Sequence, residues 1–197
     1  MNSQHIAGKG YLFIVSGPSG VGKTVLCNAI VAKYAPAVVY SISTTSRAPR
    51  GGETDGQEYN FCTAEDFEQA IGRNEFAEWA FVHGNYYGTP RQFLTDNLNI
   101  GRHVILNIDV QGAMKIRCEY PDSVMIFILP PSFEELESRI RKRNMDSEGS
   151  LLNRLENARK ELDYREQYHH AIVNDNLDEA IKELSRIFKS YLNAASA

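Results

Sequence analysis

Gly17-Pro18-Ser19-Gly20-Val21-Gly22-Lys23-Thr24 decides the reading of this chain. It fits GxxxxGK(S/T) at every fixed position. The apolar run Tyr11 to Ser16 precedes it, and a helical pattern with Leu26, Ala29 and Ile30 on one face follows it. Strand, glycine-rich turn and helix in that order form a phosphate cradle. Its glycines let successive backbone N–H groups encircle a phosphate, and the helix N-terminus adds its dipole. In this reading Gly17, Pro18, Ser19, Gly20, Val21 and Gly22 wrap a nucleoside triphosphate. Lys23 reaches the β- and γ-phosphates, and the Thr24 hydroxyl ligates Mg²⁺. The motif names the donor and leaves the acceptor open.

Outward from the cradle, four further apolar runs read as buried strands: Val38 to Ser43, His103 to Asp109, Val124 to Leu129 and Ala171 to Asn174. Their near-continuous apolar character predicts a parallel sheet covered on both faces. Helical patterns lie between and after them, with Leu151, Leu155, Ala158 and Leu162 on one face and Leu177, Ile181, Leu184 and Phe188 on another. Strand alternating with helix predicts an α/β fold of the P-loop NTPase type, a parallel five-stranded sheet flanked by helices.

Two stretches break the rhythm. Ser43 to Asn97, rich in Gly, Thr, Arg and Tyr, holds β-like pieces at Glu58 to Cys62, Phe76 to Phe81 and Tyr86 to Thr89. It predicts a small mixed, mostly antiparallel β insertion, with Trp79 and Phe81 in its core. Arg139 to Gly149 is strongly charged and predicts a mobile lid. The 197 residues suit one domain, and a 43% hydrophobic content supplies a core. A net charge of −4 argues against a nucleic-acid partner. No apolar run is long enough to span a membrane, and no secretory signal is visible, so a cytoplasmic location is expected. The three cysteines, Cys27, Cys62 and Cys118, are widely spaced and read as free thiols. His169 and His170, beside a predicted strand, read as structural.

Several further runs point to the acceptor. They are Ser41 to Glu53 (SISTTSRAPRGGE), Gly56 to Phe61 (GQEYNF), Glu75 to Ala80 (EFAEWA), Gly84 to Thr89 (GNYYGT) and Ile108 to Gly112 (IDVQG). With the phosphate cradle and Ile172-Val173-Asn174-Asp175, this ordered set resembles the guanylate kinase family from about residue 10 to residue 190. The resemblance implies transfer of the γ-phosphate of ATP to GMP, and to dGMP, with Mg²⁺. It implies one domain over 1–197. Residues 1–36, 97–137 and 169–197 would form the core, 37–96 the GMP-binding insertion and 138–168 a helical lid.

The residue chemistry supports that acceptor. Arg47 and Arg50 offer guanidinium forks to phosphate oxygens, and Ser43, Tyr59 and Tyr87 add hydroxyl donors. Guanine presents adjacent N1–H and N2–H₂ donors that one carboxylate accepts together, so Glu78 is the expected base reader. Thr89 is expected to donate to guanine O6. By resemblance, Asp109 helps hold guanine or the water shell of Mg²⁺. Likewise Arg139, Arg143 and Arg154 close over the phosphates beside Lys23, Arg47 and Arg50, and Asn174 lies near the adenine. Asp109 could equally cap the following turn, Arg139 could pair with Glu134, Glu135 or Glu137, and Asn174 could form an Asx-turn.

Three positions depart from the family pattern. Lys142 and Asn144 stand where the lid usually has glycines, which predicts a stiffer lid or a displaced hinge. Asn107 stands where relatives often carry an acid. Two other functions fit the cradle: a phosphopeptide-binding module of guanylate-kinase type, and a P-loop kinase for another acceptor. The intact Lys23-Thr24 pair speaks against the first, and the Arg47, Arg50, Tyr59 and Glu78 set against the second.

Overall fold

A computed structural model describes residues 9–82, 84–143 and 148–194. The chain opens with β1 (Leu12–Ser16), α1 (Lys23–Tyr34), β2 (Val38–Tyr40), β3 (Thr44–Thr45), β4 (Asn60–Phe61) and α2 (Ala64–Gly72). A hairpin of β5 (Phe76–Val82) and β6 (Asn85–Pro90) leads to α3 (Arg91–Asn99), β7 (His103–Asn107) and α4 (Val110–Glu119). Then come β8 (Val124–Leu129), α5 (Phe133–Arg143), α6 (Glu148–Leu162), β9 (His170–Val173) and α7 (Leu177–Ala194).

The main sheet has the order β2-β7-β1-β8-β9, and every pair in it is parallel. β1 is its central strand, so the cradle emerges from the middle of the sheet's carboxyl edge, where open α/β sheets bind ligands. Successive β1 side chains serve opposite faces. Phe13 and Val15 pack with Leu26, Ile30, Leu184 and Phe188, while Leu12 and Ile14 pack with Leu94, Leu98, Ala113 and Ile116. The Phe13 and Phe188 rings stack 3.8 Å apart and fix α7 against the sheet. Both faces are dry, as the apolar strands predict.

The second sheet has the order β4-β3-β6-β5. β3 pairs with β4 in parallel and with β6 antiparallel, and β5 pairs with β6 antiparallel, so the insertion is mixed. The two-residue strand β3 was not among the predicted pieces. β2 belongs to the main sheet although it falls within 37–96. The insertion has its own small core, with Phe67 stacked on Phe76 at 4.3 Å and on Tyr86 at 5.1 Å. Fully burying one such ring stabilises by about 1.5–3 kcal/mol.

One expectation is corrected here. Trp79 and Phe81 are not core residues: they are 39% and 60% exposed. Strand alternation is the reason. Glu78, Ala80 and Val82 point from β5 into a cavity, so Trp79 and Phe81 take the opposite face and pack on Tyr86. The segment expected as a lid is helical on both sides: Arg139 to Arg143 finish α5, and α6 begins at Glu148. Asn144 and the Arg143 side chain lie outside the described residues. Lys142 is exposed on the last turn of α5.

Candidate active site

The cradle is built by backbone geometry. Gly22 has φ +100°, and a Cβ there would meet Asn174 Nδ2 at 2.5 Å, so only glycine fits. No side chain caps α1, which leaves its first-turn N–H groups for an anion. Lys23 Nζ donates to the carbonyls of Gly17 and Pro18, at 3.0 Å for Pro18. Its ammonium is thus folded back over the loop, where a phosphate would take over these donors. Ser19 is exposed at the crest of the loop.

Parallel pairing brings the second wall to the cradle. Val15 registers with Asn107, which places the end of β7 beside the end of β1. Asn107 Nδ2 donates to Thr24 Oγ1 at 3.1 Å. Two residues on, Asp109 caps α4, with Oδ1 accepting from Gly112 N at 2.8 Å. Asp109 also lines the cavity, so the capping and site readings coexist in one carboxylate.

That cavity, of about 340 Å³, runs from Ser19 on the cradle to the insertion sheet. It gathers Ser43, Tyr59, Glu78, Tyr87 and Asp109, which are far apart in sequence. Glu78 is 8% exposed at its floor. Thr89 Oγ1 donates to Glu78 Oε1 at 2.7 Å, so in this structure the Thr89 hydroxyl is directed at the carboxylate. Burial pushes the Glu78 carboxyl up to about 7; the Thr89 hydrogen bond pulls it down, Asp109 raises it and Lys115 lowers it. A carboxylate so desolvated gains most from a ligand that brings two N–H donors.

At the outer rim, the Arg47 guanidinium lies 5.4 Å from the centre of the Tyr59 ring. Tyr59 meets Tyr87 edge-on at 5.9 Å. Arg47 Nη2 donates to Glu53 Oε1 at 2.9 Å, and Arg50 N donates to Glu53 Oε2 at 2.8 Å. The Glu53 carboxylate therefore ties together the two arginines chosen from the sequence. The Arg47 hydrogen bond, followed by that of the Arg50 N–H, holds Glu53 below the ordinary carboxylate range. The Arg50 side chain is exposed. Glu53 was quoted in the acceptor run without a role. Its spacing, six after Arg47 and three after Arg50 across a glycine-rich turn, was the available signal.

The remaining cations come from the lid side. Arg154 Nη2 donates to Ser19 Oγ at 2.9 Å, so α6 already touches the cradle. Arg139 pairs with Glu135 at 2.8 Å and donates to the Asn174 carbonyl at 3.0 Å. Asn174 is buried, and its Nδ2 donates to Val21 O at 2.7 Å, bracing the loop from beneath. Arg141 pairs with Glu137 on the exposed face of α5. His169 Nδ1 accepts from Met125 N, and His170 bonds the Tyr191 hydroxyl, both away from the cavity. Cys27, Cys62 and Cys118 are free thiols; Cys27 is buried, which pushes its thiol up to about 12.

With this geometry in place, comparison with known proteins is direct. The family model described as guanylate kinase matches residues 9–191. A guanylate kinase of Clostridium perfringens (strain 13 / Type A) is 46% identical over 187 residues, covering 95% of this chain and 86% of that protein. One from Thermotoga maritima is 43% identical over 182 residues, covering 92% of this chain and 87% of its own. The crystal structure of guanylate kinase from Anaplasma phagocytophilum superposes with a TM-score of 0.78 at 34% identity, covering 95% of this chain and 88% of that one. A P-loop opening from the central strand of a parallel sheet, a carboxylate-floored cavity on a mixed insertion sheet, and these matches over nearly the whole chain agree: the protein belongs to the guanylate kinase family.

Proposed function

We propose that this chain transfers the γ-phosphate of ATP to GMP, giving ADP and GDP. The observation that carries the reading is Glu78, buried with Thr89 at the floor of a cavity whose other end is the phosphate cradle. Guanine N1–H and N2–H₂ would satisfy its carboxylate. Adenine has no such donor pair and would leave it buried and unpaired, which costs orders of magnitude in rate. Arg47 and Arg50, with the Ser43, Tyr59 and Tyr87 hydroxyls, take the monophosphate at the rim.

Phosphoryl transfer requires positioning and charge stabilisation more than covalent help from the protein. The cradle and Lys23 hold the donor phosphates, and Arg154 reaches the same loop from α6. Arg139 on α5 adds to this positive charge, and by resemblance Arg143 serves the same step. Thr24 offers an exposed hard oxygen beside the cradle, a donor type that suits Mg²⁺. If bound there, Mg²⁺ would supply neutralisation of the negative charge on the triphosphate. Asn107 is a neutral amide and orients the Thr24 hydroxyl by donating to it. Asn174 sets the loop and, with its backbone at the end of β9, borders the adenine side. The domain division given by the resemblance assigns the insertion to GMP and α5–α6 to closure over both substrates, which excludes water from the transfer.

Among the described residues no helix is long and apolar enough to cross a membrane. The net charge of −4 fits small-molecule substrates and a cytoplasmic setting. The test is a coupled assay for GDP formation from GMP and ATP by folded protein. Absence of turnover overturns the reading.

A further inference from the structure

Glu161, near the end of α6, has no role in the mechanism above. Its side chain is half-buried, and its Oε2 is buried with no hydrogen-bond partner among the described residues. Two more buried oxygens in the same condition are Ser16 Oγ, at the end of β1, and Tyr168 Oη. Tyr168 is acted on by the Ser16 hydroxyl, Asp109 and Glu161, so the three groups lie in one cluster in which the Ser16 and Tyr168 hydroxyls stand close to bonding each other. A native fold leaves few buried polar atoms unsatisfied, and those it leaves call for a reason.

The charged neighbours of Glu161 give that reason. Burial raises its carboxyl to about 7, Lys23 acts to lower it and Asp109 to raise it. The charged groups that act on it are thus the P-loop lysine of α1 and the cap of α4. Glu161 and Arg154 lie seven residues apart, two turns of helix, on one face of α6. Arg154 already holds Ser19. α6 thus touches the crest of the cradle through Arg154 and is coupled to its lysine through the charge of Glu161.

We propose that Glu161 is a positioning residue for the transfer step, holding the Lys23 ammonium toward the phosphate chain and tying that lysine through α6 to Arg154. At rest, Lys23 donates to the Gly17 and Pro18 carbonyls. An ammonium has three donors. When phosphate oxygens replace a loop carbonyl, the Glu161 carboxylate takes one donor and fixes the direction of the others. The same contact satisfies the orphaned Oε2. Glu161 touches no reacting atom; its effect passes through Lys23. The inference rests on the kinase reading above.

The experiment is steady-state kinetics of the full chain with Glu161→Gln and Glu161→Asp. The amide keeps the size and removes the charge; the shorter acid keeps the charge. With Glu161→Gln, kcat is expected to fall about tenfold, with KM for ATP and for GMP each within about twofold of the parent. The thermal midpoint is expected not to fall, because a buried ionisable group has been neutralised. Glu161→Asp is expected to recover part of kcat. An unchanged kcat in Glu161→Gln overturns the proposal, as does a loss carried by KM or by lowered stability. If Glu161→Gln does not fold, Glu161→Asp decides: it must lower kcat at unchanged KM. A parent chain that makes no GDP fails the kinase reading itself, a result separate from a variant that matches an active parent.

Discussion

Thr89 Oγ1 donates to Glu78 Oε1 at 2.7 Å across the β5–β6 pair, where the two residues stand in direct register. This bond directs the Glu78 carboxylate, the group proposed to read the base. It also opposes the burial that raises Glu78. Thr89→Val keeps the shape and removes the donor. The carboxyl then rises further and loses its alignment, so KM for GMP at neutral pH should increase about tenfold while KM for ATP stays put. Initial-rate kinetics with each substrate varied in turn check this, and an unchanged KM for GMP would show that Thr89 is only a packing residue.

The burial of Glu78 also makes a prediction about stability against pH. Its folded value is raised from 4.5 to about 7. The native chain therefore keeps a proton that the unfolded chain releases between those values. Its contribution to stability is full below about 4.5 and is lost as pH rises through about 7. Glu78→Gln lacks this loss. The thermal midpoint of Glu78→Gln should gain on the parent from about pH 5 to about pH 7 and hold a constant lead above that. Melting both proteins across this range without ligand is the check; a lead that shrinks as pH rises has the wrong sign for a buried carboxyl.

Gly112 lies directly behind the same carboxylate. A Cβ on it would come within 2.9 Å of Glu78 Oε2 and 3.2 Å of its carboxyl carbon. Gly112→Ala must therefore push Glu78 into the cavity or off its Thr89 bond. The expected result is a loss of about tenfold or more in kcat/KM for GMP, with the ATP site intact. Alanine is a good helix former, so the fold should survive. Tight nucleotide binding at the cradle alongside poor GMP use would be the signature, read by ATP-analogue titration and kinetics.

Glu53 offers a test at the other end of the substrate. It accepts from Arg47 Nη2 and from Arg50 N, and the Arg47 and Glu53 side chains are only 12% and 18% exposed. Glu53→Gln removes the charge that aims Arg47, so kcat/KM for GMP should fall about tenfold. KM for ATP should change little. An equal rise in both KM values would point instead to a general loosening of the insertion.

Much of this was legible in the sequence because it is local. The P-loop is contiguous, so its glycines, Lys23 and Thr24 could be read together. The buried strands announced themselves by unbroken apolar runs, and β8 occupies the predicted residues. The candidate acceptor residues were chosen as side-chain chemistry matched to a monophosphate and a guanine edge, and Ser43, Tyr59, Glu78, Tyr87 and Asp109 line one cavity. What escaped depends on which face a strand presents or on what meets across the fold. Trp79 and Phe81 looked like core because they are large and apolar, yet Glu78 takes the inner face of β5 and its neighbours must point out. Glu53 binds the two arginines only because the turn between them closes. Asn174 reaches Val21 across 153 residues. No local pattern marks contacts of that kind.

The most direct test of the account is one assay with four acceptors. ADP production would be followed with ATP, Mg²⁺ and either GMP, dGMP, AMP or UMP, under identical conditions. If Glu78 reads the guanine edge, GMP and dGMP are phosphorylated, and AMP and UMP are slower by at least about a hundredfold in kcat/KM. Comparable turnover of AMP or UMP, or no turnover of GMP by folded protein, would contradict it.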